Sequence, residues 1–315
     1  MSPFSGASRI GVQTAWPSAA VESANFACID PITAMSTVSP PRVVAYLLSQ
    51  ALLDRLPSCF PHLTAINVGA FQIGFDRHRD PFIHLNGVDP ARQPPELWST
   101  LKAAQRAGVK VLASLGGADG GFKPLFEYYE MFYPAWCDLL REYGFDGLDL
   151  AIEEPVTPSN LAMFISDVRR DLPPGFLLTA APVASALSNG YDPFAGLDWR
   201  PFAAQLDWFN VQFFNGWGTL ATTTNYRAVV AAGYHPTQIV AGSLTNPANG
   251  GTGYVPISPL GQTLRILQYQ FPGQFGGVAG WEFSNAHTLG ETVDPRGWCA
   301  AMAAAIQRPV SEVLA

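Results

Sequence analysis

Eight short apolar runs, each separated from the next by a longer stretch, constrain this chain more than any other feature. They are Val43–Tyr46, Ala65–Phe71, Val109–Leu115, Gly147–Ile152, Leu177–Ala181, Trp208–Phe213, Ile239–Gly242 and Gly277–Trp281. Helix-like segments lie between them, among them Pro95–Ala107, Tyr128–Tyr143, Ser159–Asp171, Tyr226–Ala232 and Leu260–Tyr269. Ser159 and Asn160, after Pro158, are read as the N-cap of the third. Near-continuous apolar strands with crossovers between them are the mark of a buried parallel sheet. Eight such units in about 270 residues favour a single closed (β/α)8 barrel, with an active site at the C-terminal ends of the strands. An open doubly wound sheet wants a glycine-rich phosphate loop after its first strand, and Tyr46-Leu-Leu-Ser-Gln50 is not one.

The organisation expected is an N-terminal extension over residues 1–41, loosely structured and rich in Ser, Ala, Pro and Thr, followed by the α/β barrel over 42–315. Eighteen Lys and Arg against 25 Asp and Glu leave a net charge of −7, the wrong sign for a nucleic-acid partner. Apolar stretches break well short of the ~20 residues of a membrane span, so no membrane partner is expected either. The four cysteines form no C-x-x-C pair, and Cys59 with His62 has no second ligand pair. His62, His78, His84, His235 and His287 form no cluster, so neither metal nor other cofactor is expected. Ser114 lacks the context of a nucleophilic serine. The first residues lack a basic segment followed by an apolar one, which favours a cytoplasmic chain, or a secreted one if a leader preceded it. A monomer is expected.

The segment Gly144–Pro155 carries the chemistry. Asp146, Asp149 and Glu153 interrupt a strand otherwise made of Leu, Ile and Ala. Side chains alternate along a strand, so Asp149, Ala151 and Glu153 share one face and Leu148, Leu150 and Ile152 the other. Charge inside a barrel demands partners or a proton. A carboxyl in such a place has a raised pKa and suits general acid work, and Glu153 lies at the strand's C-terminal end.

Asp146-Gly-Leu-Asp149-Leu-Ala151-Ile-Glu153 resembles the Asp-Gly-x-Asp-x-Asp-x-Glu signature of glycoside hydrolase family eighteen, the chitinases and endo-β-N-acetylglucosaminidases. Ser114-Leu-Gly116-Gly117 is similar to the family's Ser-x-Gly-Gly, Gln212-Phe-Phe214-Asn215 to its Gln-Phe-Tyr-Asn, and Gly280-Trp281-Glu282 to its pocket-flooring Trp. Within the family the likeness is greatest to fungal endo-β-N-acetylglucosaminidases, and no large insertion domain is visible. The resemblance implies a (β/α)8 barrel that cleaves the GlcNAcβ1-4GlcNAc link of an N-glycan core on a glycoprotein; chitin oligomers are the alternative substrate. It implies a proton donor at Glu153, with the substrate's acetamido carbonyl as nucleophile and retention of configuration, an exception to the two-carboxylate scheme. Asp149 and position 151 complete the implied catalytic set. The implied substrate contacts are Trp281, Gln212, Phe214, Asn215, Ser114, Gly116, Gly117 and Asp146; Phe71, Trp217 and Asn246 are further candidates to line the groove, with core or loop packing the alternative for the two aromatics and turn formation for Asn246.

Two positions depart from the pattern. Ala151 stands where the family has the Asp that holds the acetamido N–H, and Phe214 where it has a Tyr hydroxyl. Both missing groups serve the same substrate moiety, so an impaired or inactive enzyme is expected. Three accounts compete: an alanine introduced into an intact site, a natural glycan-binding relative without turnover, or replacement of the lost contacts by Asn215 or Gln212. The first is favoured, since Asp149, Glu153, Gln212 and Trp281 all remain.

Overall fold

The computed structural model describes residues 41–288 and 292–307. Nine strands run through it: β1 (Arg42–Leu47), β2 (Ala65–Phe75), β3 (Pro81–Leu85), β4 (Lys110–Gly116), β5 (Gly147–Ala151), β6 (Leu177–Ala180), β7 (Trp208–Gln212), β8 (Ile239–Leu244) and β9 (Gly277–Trp281). Their order, β1-β9-β8-β7-β6-β5-β4-β2, closes through parallel pairing of β1 with β2. The result is the eight-stranded parallel barrel that the apolar runs predict. The extra strand, β3, pairs antiparallel with the far half of β2 and stands outside the ring. The extension expected over residues 1–41 lies, but for Pro41, outside the described residues.

The helices are α1 (Pro95–Arg106), α2 (Phe122–Glu127), α3 (Tyr129–Tyr143), α4 (Pro158–Asp171), α5 (Ala184–Asn189), α6 (Thr224–Ala231), α7 (Ile257–Gln270) and α8 (Pro295–Gln307). The crossover after β1 is a 3-10 segment, Leu53–His62, interrupted by Pro57 and Pro61. The cap of α4 is Thr157, earlier than the Ser159-Asn160 reading. Its hydroxyl accepts from Asn160 N at 3.2 Å, which lets Pro158 occupy the first helical position, where its missing N–H costs nothing.

Alternation sorts the strand residues into two layers. Val43, Ile66, Val68, Val111, Leu148, Leu150, Leu178, Phe209 and Val278 face outward and form the large core under the helices. Val44, Tyr46, Ala65, Leu112, Trp208, Val240 and Ala279 fill the barrel itself. No described helix is long and apolar enough to cross a membrane.

Candidate active site

The barrel interior turns polar where β5 crosses it. Asp149 is fully buried and accepts four hydrogen bonds, each from a different strand. Tyr46 Oη (2.9 Å) and Ser114 Oγ (3.1 Å) donate to one oxygen; Thr179 Oγ1 (2.5 Å) and Asn210 Nδ2 (3.0 Å) donate to the other. Trp208 Nε1 in turn donates to Asn210 Oδ1 at 3.0 Å. Burial pushes the Asp149 carboxyl above its ordinary value, and these donors pull it back. The Tyr46 phenol is pushed well up by burial and by the Asp149 charge. A carboxylate with every lone-pair direction occupied is a fixed strut, because each donor is left unsatisfied if it goes. Asp149→Ala should therefore lower unfolding free energy by about 3 kcal/mol and Tyr46→Phe by about 1. Urea denaturation checks both, and a loss under ~1 kcal/mol for Asp149→Ala would contradict the strut.

Above this layer a pocket opens at the mouth of the barrel. Glu153, Gln212, Trp281, Phe214, Ser114, Gly116, Gly117 and Ala151 all line it, so residues of four sequence motifs far apart in the chain meet at one mouth. Ala70, Ala181, Asn210, Gly242 and Ala279 complete the wall with Tyr46 and Leu48. Glu153 is half-buried, and its carboxyl is pushed above the ordinary carboxylate value, first by burial. The Gln212 amide opposes this with a long hydrogen bond (Nε2 to Oε1, 3.4 Å), while the charge of Asp192 adds to it. Gln212 is held chiefly by donating to Ala181 O at 2.8 Å. Trp281, half-buried, leans on Tyr46 with ring centroids 5.2 Å apart. Ala151 is buried against the mouth, with its carbonyl accepting from Gly117 N at 2.7 Å. Gly116 permits that approach. Its φ is +98°, and a Cβ there would lie 2.4 Å from Ala151 O.

Other residues singled out in the sequence lie elsewhere. Asp146 sits at the opposite, N-terminal end of β5, where its carboxylate accepts from Val111 N (2.9 Å) and Gln105 Nε2 (2.8 Å). A position before the strand's first residue is on the barrel's stability face. Phe71 packs edge-on against Trp136 (5.2 Å) and Phe145 (5.8 Å) in the outer core. Simple alternation would have aimed it inward. The pairing of β2 with β4 slips by one residue between Val68 and Phe71, and this bulge inverts the facing of the residues beyond it, so Ala70 lines the pocket instead. Asn215 is exposed, at φ +55°, and its Oδ1 accepts from Gly251 N at 2.8 Å, fastening the loop after β8. Asn246 caps a short 3-10 turn and donates to Asn285 O at 2.8 Å. Trp217 packs on Phe194 at 5.3 Å. Tyr46, Thr179 and Asn210 were not among the site residues expected from the sequence. A hydroxyl or amide at an inward strand position was the available signal. Among the described residues, no group of three or more His, Cys, Asp or Glu side chains is arranged to hold a metal ion.

The family model of the glycosyl hydrolases family 18 matches residues 54–247. The chain belongs to that family. A fungal endo-β-N-acetylglucosaminidase of family 18 superimposes with a TM-score of 0.75 at 31% identity, over 85% of this chain and 98% of that one. The chitinase ChiC of Aspergillus fumigatus gives 0.73 at 34% identity, over 84% and 99%. Chitinase 1 of Rhizopus niveus is 31% identical over 61% of this chain and 41% of its own length; Chitinase 2 of Rhizopus oligosporus is 30% identical over 62% and 38%. The chain thus spans about two fifths of the length of these two curated relatives.

Proposed function

We propose that this family 18 barrel is built to hydrolyse the GlcNAcβ1-4GlcNAc link of an N-glycan core, with Glu153 as the acid and base, and that Ala151 leaves the present chain impaired. The observation that carries the reading is Glu153 itself, a half-buried carboxyl with a raised pKa lining the same pocket as Trp281. A general acid must hold its proton near the working pH, and burial supplies that. The bond's oxygen takes the proton from Glu153 as the C1–O bond breaks. The substrate's acetamido oxygen bonds to C1, and water, deprotonated by Glu153, later opens the ring so formed. Asp149 supports from below as a fixed negative charge. A carboxylate at position 151 would have held the acetamido N–H, and neither Ala151 nor Phe214, both on the pocket wall, supplies a polar group in its place.

Chitin oligomers contain the same link, and the Rhizopus relatives carry the name chitinase, so hydrolysis of chitin is the second reading. Comparing the Ala151→Asp chain on an N-glycopeptide and on chitin oligomers separates the two. The pocket should bind a GlcNAc-terminated glycan even without turnover. Trp281→Ala should weaken that binding roughly tenfold in calorimetry, the scale of a lost aromatic platform, while Trp217→Ala, which loses only its packing on Phe194, should leave it within about twofold. Equal effects from the two would refute Trp281 as a sugar platform.

A further inference from the structure

The side chain of the proton donor is poorly held. Its hydrogen bond to Gln212 is long, at 3.4 Å, and Gln212 has a better partner in Ala181 O at 2.8 Å. The aim of Glu153 therefore depends on the backbone that carries it. β5 ends at Ala151, and Ile152 to Val156 belong to no regular element, so the strand ladder does not fix them. The next residue, Glu154, does not enter the pocket. Its Oε1 accepts from Gly121 N and Phe122 N, both at 2.6 Å, and its Oε2 accepts from Lys123 N at 3.2 Å. Those amides open α2, whose first residue, Phe122, is completely buried. Gly120 admits the carboxylate: its φ is +73°, and a Cβ there would lie 3.0 Å from Glu154 Oε1. Together with the Gly117 N to Ala151 O bond, this fastens the segment 151–154 at both ends to the loop after β4.

We propose that Glu154 is a positioning residue for Glu153, a carboxylate clamp that locks the end of β5 onto the β4–α2 loop and so fixes the aim of the proton donor. The proposal rests on the hydrolase reading for its effect on rate, but the clamp is a property of the fold. Three amide donors on one carboxylate make a strong and directional anchor, because a carboxylate only accepts and each oxygen has two lone pairs to give. A displacement of about 1 Å at a reacting group costs on the order of a hundredfold in rate.

The test uses Glu154→Ala, Glu154→Gln and Gly120→Ala in the full chain carrying Ala151→Asp. The first should lower kcat by roughly tenfold to a hundredfold with KM within about twofold. The glutamine keeps an oxygen for Gly121 and Phe122 and should recover kcat to within about threefold. Gly120→Ala strikes the same contact from the other side and should reproduce the loss, which keeps the test decisive if Glu154→Ala does not fold. The titration of Glu153 is set first by burial, then by the Gln212 hydrogen bond and the charge of Asp192, while the hydrogen-bonded Asp149 and Tyr46 lie in the layer beneath. Loosening the segment hydrates Glu153, so the alkaline limb of the rate profile should move to lower pH, which a role in stability alone would not do. The same downward shift should appear in a carbon-13 titration of Glu153 in the chain with Ala151, where no turnover is needed. If the Ala151→Asp background releases no oligosaccharide, the hydrolase reading fails and this titration still decides the clamp. Unchanged kcat, limb and titration in a folded Glu154→Ala or Gly120→Ala chain overturn it.

Discussion

Ala151→Asp raises the release of oligosaccharide from an N-glycopeptide by ~10²–10³, read by mass spectrometry of the products. The magnitude is that of one preorganised electrostatic partner placed where charge develops. The side chain at 151 already opens on the pocket, between Gly116 and Glu153 and above the Ser114–Asp149 layer, so the added carboxylate meets the acetamido group rather than the barrel wall. It also adds a third negative group to a stack that includes Asp149 and Glu153. Like charge favours the protonated form, so Glu153 should hold its proton to higher pH than in the present chain. Since the acid must be protonated to act, the alkaline limb of kcat/KM should move upward on Ala151→Asp. A chain that binds the glycan tightly and still releases nothing would make this a glycan-binding member of the family, and the hydrolase reading would be lost.

The second large effect is Glu153→Gln in that restored background. Gln preserves shape and the approach of Gln212 but cannot donate the proton that the leaving oxygen needs. Loss of ~10²–10⁴ in kcat is expected, with glycan affinity kept. Steady-state kinetics beside calorimetry reads both. A variant that keeps its rate would show that the acid is some other group, and the raised pKa of Glu153 would then reflect burial alone. The pH dependence of folding should change with the substitution as well. Glu153 has a folded pKa above its unfolded value, so the native chain binds the proton more tightly and loses stability as pH rises through that range. Glu153→Gln should flatten this slope in urea titrations carried out across it.

How far the sequence reached is clearest on β5. Period-two alternation alone put Asp149, Ala151 and Glu153 on one face, and the structure has Asp149 inside the barrel with Ala151 and Glu153 on the pocket. The same rule failed two strands away. Applied to β2, it aims Phe71 inward, because a one-residue bulge leaves no mark in a run of apolar residues. Asp146 shared a motif with Asp149 and yet lies at the barrel's other end, since three residues of strand span about 10 Å. Asn215 and Asn246 were legible as polar residues needing partners, but their partners are a loop amide and a carbonyl, brought there by turns after β8 and β9.

Residue spacing along the chain therefore determined the eight barrel strands, their closed parallel arrangement and the face on which Glu153 stands, because each is set by a local period of backbone geometry, whereas the antiparallel β3 left no such mark. Tertiary structure alone decided which groups meet across strands. The four donors on Asp149 come from β1, β4, β6 and β7, and the amides on Glu154 come from a helix start some thirty residues earlier in the chain. Those meetings depend on strand register and loop closure, which are sums over the whole fold and are written at no single position.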